Sequence, residues 1–267
     1  MSIKDTALFQ RLRFRARAAK YAWRVDPSEI AFLRRLLRPG DLGIDVGAHK
    51  GGYLYWLQRA VTQSGHVLAF EPQRAAAEYL DRLKRICGYE HVEIVNCAVS
   101  DSAGTRSLFA PSTRISTGAT LVPGLFPEND ATCQVEAVTL DGFLAGRTHL
   151  PPPRYLKVDV ETHELEVLRG APVLLATARP VVQFEADQRV YGDRPIDEIF
   201  RFLGSFGLAG FFFFGRRLHP LEVFELAVHQ PERLQTTPNH PGYANNFLFM
   251  DTRKERAILQ RYGVDSA

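Results

Sequence analysis

The sequence has little of what usually announces a metal, a cross-linked scaffold or a membrane. Its 267 residues include three cysteines, Cys87, Cys97 and Cys133. The number is odd and the spacing is not that of a metal site, so free thiols are expected rather than disulfides or a zinc site. No apolar run approaches the ~20 residues of a membrane span. The opening residues, Met1 to Asp5, lead into a basic segment with no apolar signal core, which makes a cytoplasmic location the default expectation. Two nucleotide fingerprints are also missing: neither G-x-G-x-x-G nor G-x-x-x-x-G-K-[ST] occurs. Nor is there a large excess of one charge, since 33 Lys and Arg face 30 Asp and Glu, leaving +3.

That small excess is unevenly placed. Residues 1–40 carry ten Lys and Arg against three acids, so this stretch holds +7 and the rest of the chain −4. Arg11, Arg13, Arg15 and Arg17 alternate within it. Such a run suits an acidic substrate, a membrane surface or nucleic acid, or is the solvated face of an N-terminal helix. Aromatic residues interleave it too thinly for an RNA surface, and nucleic acid is not the expected partner. Nothing in the sequence bears on oligomeric state.

The most informative stretch runs from Asp41 to Gly52. A short apolar segment ends at Asp45, glycines follow at 47, 51 and 52, and a helix-like run begins at Tyr53. This is the layout of a first strand, a tight turn and a first helix in a nucleotide-binding α/β domain. Asp45-x-Gly47-x-x-x-Gly51 suits a ligand without a pyrophosphate, such as S-adenosylmethionine. Helices are predicted over 7–24 and from Pro27 to about Leu37, then strands over 42–46, 66–70 and 92–99. Residues 102–130, rich in Ser, Thr, Gly and Pro, predict a loop or short hairpin able to cover the site. Strands follow over 134–139, 155–160, 181–184, 211–214 and 246–250, with a helix from His163 to Leu174 and mostly loop over 216–245. The pattern predicts a doubly wound α/β sheet, mostly parallel and seven-stranded, whose last strand is antiparallel. A basic helical extension (1–38) would precede the main domain (39–267).

Several motifs stand in order along this frame. They are Ile44-Asp45-Val46-Gly47-Ala48, Ala69-Phe70-Glu71-Pro72, Cys97-Ala98-Val99-Ser100-Asp101, Val138-Thr139-Leu140-Asp141 and Leu156-Lys157-Val158-Asp159-Val160-Glu161. Further on come Glu164 to Ala171, Arg179-Pro180 with Glu185, and Asn245 to Phe249. The ordered set resembles the FkbM-type family of S-adenosylmethionine-dependent methyltransferases over about residues 40–250. The resemblance implies a Rossmann-like class I methyltransferase fold with S-adenosylmethionine as cofactor. Two residues depart from the family pattern: His49 stands where Asn is usual, and Thr162 where Gly is usual.

The cofactor set expected from the residues and the resemblance is Asp45, Gly47, Ala48, His49, Gly51, Glu71, Pro72, Ser100, Asp101 and Asp159. Asp45 suits the methionine ammonium end. Glu71, ending strand two, can accept both ribose hydroxyls, although a strand-end Glu can equally be a solvated cap. Ser100 or Asp101 would face the adenine, with a turn role for Asp101 as the alternative. If the chain stays extended, alternation puts Asp159, Glu161 and His163 on one side, where they would serve proton removal from the acceptor. Their alternative role is to cap the next helix. Lys157 is placed on the opposite face. Asp159, Glu185 and Asp187 offer a lesser option, an oxygen-ligand site for a divalent metal.

The expected activity is methylation of an oxygen on a small molecule, sugar or natural-product intermediate. Methylation of nitrogen, methylation of a macromolecule drawn in by the basic N-terminus, and a degenerate binding module stand as alternatives.

Overall fold

A computed structural model describes residues 6–111, 115–125, 131–234 and 240–264. The chain opens with α1 (Ala7–Lys20), which Thr6 caps by accepting from the Phe9 amide. A single π-helical turn, Tyr21–Val25, continues it. Then α2 (Pro27–Leu36) starts with proline in its first turn, where the missing N–H costs nothing. The predicted single helix over 7–24 is thus two geometries, and sequence periodicity does not separate a π turn from an α turn.

The alternation that follows is β1 (Leu42–Val46), α3 (Leu54–Val61), β2 (His66–Phe70), α4 (Arg74–Cys87) and β3 (Val92–Val95). Next come the short β4 (Ala98–Val99), β5 (Gly104–Ala110), β6 (Ala131–Val138) and α5 (Leu140–Leu144). The second half holds β7 (Pro153–Val158), α6 (Glu164–Arg169), α7 (Pro172–Thr177), β8 (Val181–Glu185), α8 (Gln188–Tyr191) and α9 (Asp197–Gly204). It closes with β9 (Ala209–Phe214), β10 (Arg217–Pro220), α10 (Leu226–His229), β11 (Asn246–Met250) and α11 (Arg256–Arg261).

The main sheet has eight strands in the order β10-β9-β11-β8-β7-β1-β2-β3. β11 runs antiparallel to both neighbours, as the sequence predicts for the last strand. The count exceeds the expected seven because Arg217–Pro220 turns back along β9 as an antiparallel edge strand. Its Arg, His and Pro content hides it in a segment that reads as loop. A second sheet, β4-β6-β5, lies outside the predicted frame. The strand expected over 92–99 breaks at Asn96-Cys97, where β3 ends in the main sheet and β4 joins the small one. Seven residues of the 102–130 segment form β5, which pairs antiparallel with β6. Residues 112–114 and 126–130 lie outside the described residues.

Helices cover both faces of the main sheet, giving three layers. One core joins Leu42, Ile44, Val46 and Phe70 to α6, α7 and α9, and the other joins Val67, Ala69 and Tyr155 to α2, α3 and α11. The N-terminal extension is built into this packing, with Phe14, Ala18, Phe32 and Leu33 fully buried. From β1 the chain winds outward through β2 and β3, then returns to the other side of β1 to form β7 and β8. The carboxyl ends of β1 and β7 therefore flank a topological switch point, where open α/β sheets hold their ligands.

Candidate active site

A cleft of about 1090 Å³, counted out to its mouth, opens at this switch point. Asp45 ends β1 with its side chain buried, and neither carboxylate oxygen has a hydrogen-bond partner. Burial lifts its pKa to about 6, with Lys157 opposing the rise. A buried carboxylate oxygen without a donor is costly, so Asp45 is poised for a donor that a ligand would bring. Glu71, at the end of β2, accepts from the His49 amide (2.7 Å) and from the Gln73 amide (2.8 Å). Burial pushes it up to about 7 against those two bonds. The carboxylate is thereby fixed in orientation, and each oxygen keeps a free lone pair for a ligand hydroxyl.

The glycines of the turn serve the protein as well as any ligand. Gly47 has φ +86°, and a Cβ there would lie 1.9 Å from the Asp159 carbonyl oxygen. A Cβ on Gly51 would meet the Phe14 ring at 2.9 Å, and one on Gly52 the Tyr21 ring at 2.5 Å. The turn is thus pressed against β7's exit on one side and the N-terminal helix on the other. Ala48 and His49 line the cleft, while Gly51 does not. His49 has φ +47°, its Nε2 is buried without a partner, and burial lowers its pKa to about 4.

The other end of the cleft is acidic. β7 stops at Val158, so Asp159, Glu161 and His163 lie beyond it. The chain there is not extended, for Glu161 and Thr162 take left-handed φ values of +54° and +72°. All three predicted residues still line the cleft, as does Glu185. Lys157 does too, which corrects its expected placement. It is two residues from Asp159 and register-paired with Asp45, so the pleat sends it to their side. Its ammonium reaches Asp159 Oδ2 at 2.7 Å. Burial opposes its charge, yet Asp159, Asp45 and Asp26 together hold its pKa above the usual lysine range. Burial, with repulsion from Asp159, raises Glu161 to about 7. Glu185 accepts from Asn245 Nδ2 (2.7 Å), and burial followed by the Asp159 charge drives its pKa well upward.

His163 Nε2 lies 3.0 Å from Ser100 Oγ, and burial keeps its pKa below normal. Ser100 and Asp101 do not line the cleft. Ser100 is buried behind it, and Asp101 is exposed beside Ser102 and Arg106. The wall on that side is Cys97, Ala98 and Val99 instead, with Pro72 nearby. Among the described residues no three His, Cys, Asp or Glu side chains are grouped to hold a metal ion. Asp187 instead accepts from Tyr243 Oη at 2.9 Å and pairs with Arg189.

Sequence reasoning did not bring in Tyr21 or Tyr53, whereas it placed residues 116–121 in a segment able to cover the site. Tyr21, from the π turn, lines the mouth, and burial raises its phenol to about 12. Tyr53 lies under Lys157, whose ammonium is 4.4 Å from the ring centroid. Residues 116–121 form one wall, held by the Gln73 side chain, which bonds both the amide and the carbonyl of Ser116 (2.9 and 3.0 Å). Thr120 Oγ1 donates to the Glu161 carbonyl at 2.7 Å. Neither tyrosine carried a signal, whereas Lys157 did, in its two-residue spacing from Asp159.

A switch-point cleft with acidic strand ends on a mostly parallel sheet with an antiparallel last strand defines the Rossmann-like class I methyltransferase fold. The chain belongs to the FkbM methyltransferase domain family, whose model matches residues 45–211. Among solved structures, methyltransferase FkbM from Methylobacillus flagellatus KT is similar with a TM-score of 0.53 at 17% identity. The match covers 91% of this chain and 53% of that one, so this chain spans about half the length of that protein. A S-adenosylmethionine-dependent O-methyltransferase from Thermotoga maritima matches with a TM-score of 0.45 at 15% identity, covering 92% of this chain and 71% of that one. No curated protein matches the sequence.

Proposed function

We propose that the chain is a S-adenosylmethionine-dependent methyltransferase that methylates an oxygen of a small molecule, a sugar or a natural-product intermediate. The observation that carries this reading is the meeting, in one cleft, of two differently prepared carboxylate sets. At one end Asp45 lacks a donor and Glu71 is oriented by two backbone amides. They fit an ammonium and a pair of ribose hydroxyls respectively. At the other end Asp159, Glu161 and Glu185 present acceptors to whatever enters. S-adenosylmethionine supplies an electrophilic methyl group on a sulfonium. The residues then have to align an acceptor, exclude water and receive a proton.

Glu161 is the proton acceptor in this scheme, because its raised pKa of about 7 matches a base working near neutrality. Asp159 is held by Lys157, and His163 by Ser100, which makes them positioning groups. A wall of carboxylates favours an acceptor rich in hydroxyl donors over an anionic one. It would also hold a protonated amine, which keeps nitrogen acceptors in the same test.

Calorimetry with S-adenosylmethionine and its demethylated product tests the cofactor half of the reading. Both should bind, and Glu71→Gln should weaken both roughly 10- to 100-fold, the loss of charged hydrogen bonds to two hydroxyls. No binding of either ligand by the unaltered chain would sink the proposal.

A further inference from the structure

The outer face of α1 has no role in the cleft. Phe14 and Ala18 point into the protein, and Arg17 is used inward, donating to the Lys50 carbonyl and to Tyr79 Oη. On a helical wheel centred opposite Phe14, the outer positions are Leu8, Leu12, Ala16 and Ala19. Leu8 is 68% exposed and Leu12 53% exposed. Arg15 flanks this strip on one side, and Arg13 and Lys20 on the other. The π turn prolongs the surface with Trp23, 79% exposed, followed by the exposed Arg24. From Ala7 to Val25 there are six cations and no acid.

We infer that this face docks the protein on an anionic lipid surface. A helix with an apolar strip bordered by cations and closed by a tryptophan is suited to lie in the plane of a membrane interface. The leucines and the indole enter the headgroup boundary, and the cations reach lipid phosphates. The cations alone would also suit nucleic acid. The apolar strip decides between them, since a phosphate backbone offers nothing to Leu8, Leu12 and Trp23, whereas acyl chains do. Charge complementarity points the same way, since the six cations of residues 7–25 meet no acid within that segment. The π turn that carries Trp23 also carries Tyr21, which lines the cleft. The inference stands independently of the acceptor.

Flotation of the full chain with phosphatidylcholine vesicles, with and without about 30 mol % phosphatidylglycerol, tests it. Binding should need the anionic lipid and should fall about tenfold or more between about 0.1 and 0.5 M salt. Leu12→Glu and Trp23→Ala should each lower vesicle binding by about tenfold, since each removes a side chain from the interface. Both should keep the melting temperature and the affinity for the demethylated cofactor. Three results overturn the inference: no vesicle binding, vesicle binding indifferent to both substitutions, or a folded chain that self-associates in solution through Leu12 and Trp23. Equal binding to duplex DNA, lost with the same two substitutions, also overturns it in favour of nucleic acid.

Discussion

His49 stands in the turn that follows β1, at a position where the resemblance leads to the expectation of Asn. Its left-handed φ of +47° is one that Asn adopts more readily than His, and its imidazole sits buried with Nε2 unpartnered. Burial first, then Lys50, depress its pKa from 6.5 to about 4. A base with a depressed folded pKa takes up fewer protons in the folded than in the unfolded chain between those two values. Its contribution to stability is therefore complete above about pH 6.5 and is lost as pH falls toward 4. His49→Asn removes that dependence. Melting temperatures of the two proteins should diverge below about pH 6, the variant falling less steeply, while at pH 8 they should agree within a few degrees. Parallel curves from pH 8 to pH 4.5 would show that His49 titrates normally.

At the scale of elements, the wall over residues 116–121 is fastened by bonds to Gln73, Phe109 and Glu161. The Gln73 amide makes two of them to Ser116, and the Phe109 and Thr120 backbones exchange two more. Gln73→Ala should speed hydrogen exchange of the Ser116 amide by roughly tenfold, the loss of about 1–1.5 kcal/mol of local hydrogen bonding. Exchange in β1 and β7 should not change. A uniform acceleration would mean that the wall opens only with global unfolding.

This element also marks where sequence reading stops. β1 and β2 were legible to the residue, because apolar runs bounded by Pro39-Gly40 and Gly47, and by Gly65 and Glu71-Pro72, leave little freedom. The antiparallel placement of β11 followed from the last two predicted strands, 211–214 and 246–250, having no helix predicted between them. The break at Asn96 was not legible, for Val92 to Val99 contains no glycine or proline to mark it. What ends β3 is tertiary: Asn96 Nδ2 donates to the carbonyls of Glu71 and Pro72. Asp45 and Glu71 could be named from their strand ends. Tyr21 could not, since it arrives by a π turn from a segment whose composition speaks only of charge. Alternation itself puts Lys157 on the side of Asp159, against its expected placement, but it cannot express the left-handed pair Glu161-Thr162.

Across the whole molecule, the basic end and the acidic cleft divide the charge, and the cleft's carboxylates share one perturbation. Asp45 is raised to about 6, Glu71 and Glu161 to about 7, and Glu185 further up, in each case by burial first. Acids with raised folded pKa values hold more protons in the folded than in the unfolded chain. They therefore favour folding below about pH 4, and that contribution declines as pH rises toward 7 and they are forced to ionise while buried. A ligand carrying a sulfonium and an ammonium reverses the preference, because it stabilises the ionised forms. Binding of S-adenosylmethionine should accordingly release protons, on the order of half a proton or more per site near pH 6.5, and its affinity should increase from pH 6 to pH 7.5. The demethylated product lacks the sulfonium charge and should release fewer. Calorimetry in phosphate and in Tris measures the release directly, since the two buffers differ widely in ionisation enthalpy. Equal heats in both buffers, or an affinity that falls over this range, would mean that the carboxylates facing the cofactor are already ionised in the free protein. Asp45 would then be stabilised by Lys157 alone rather than held ready for a ligand cation.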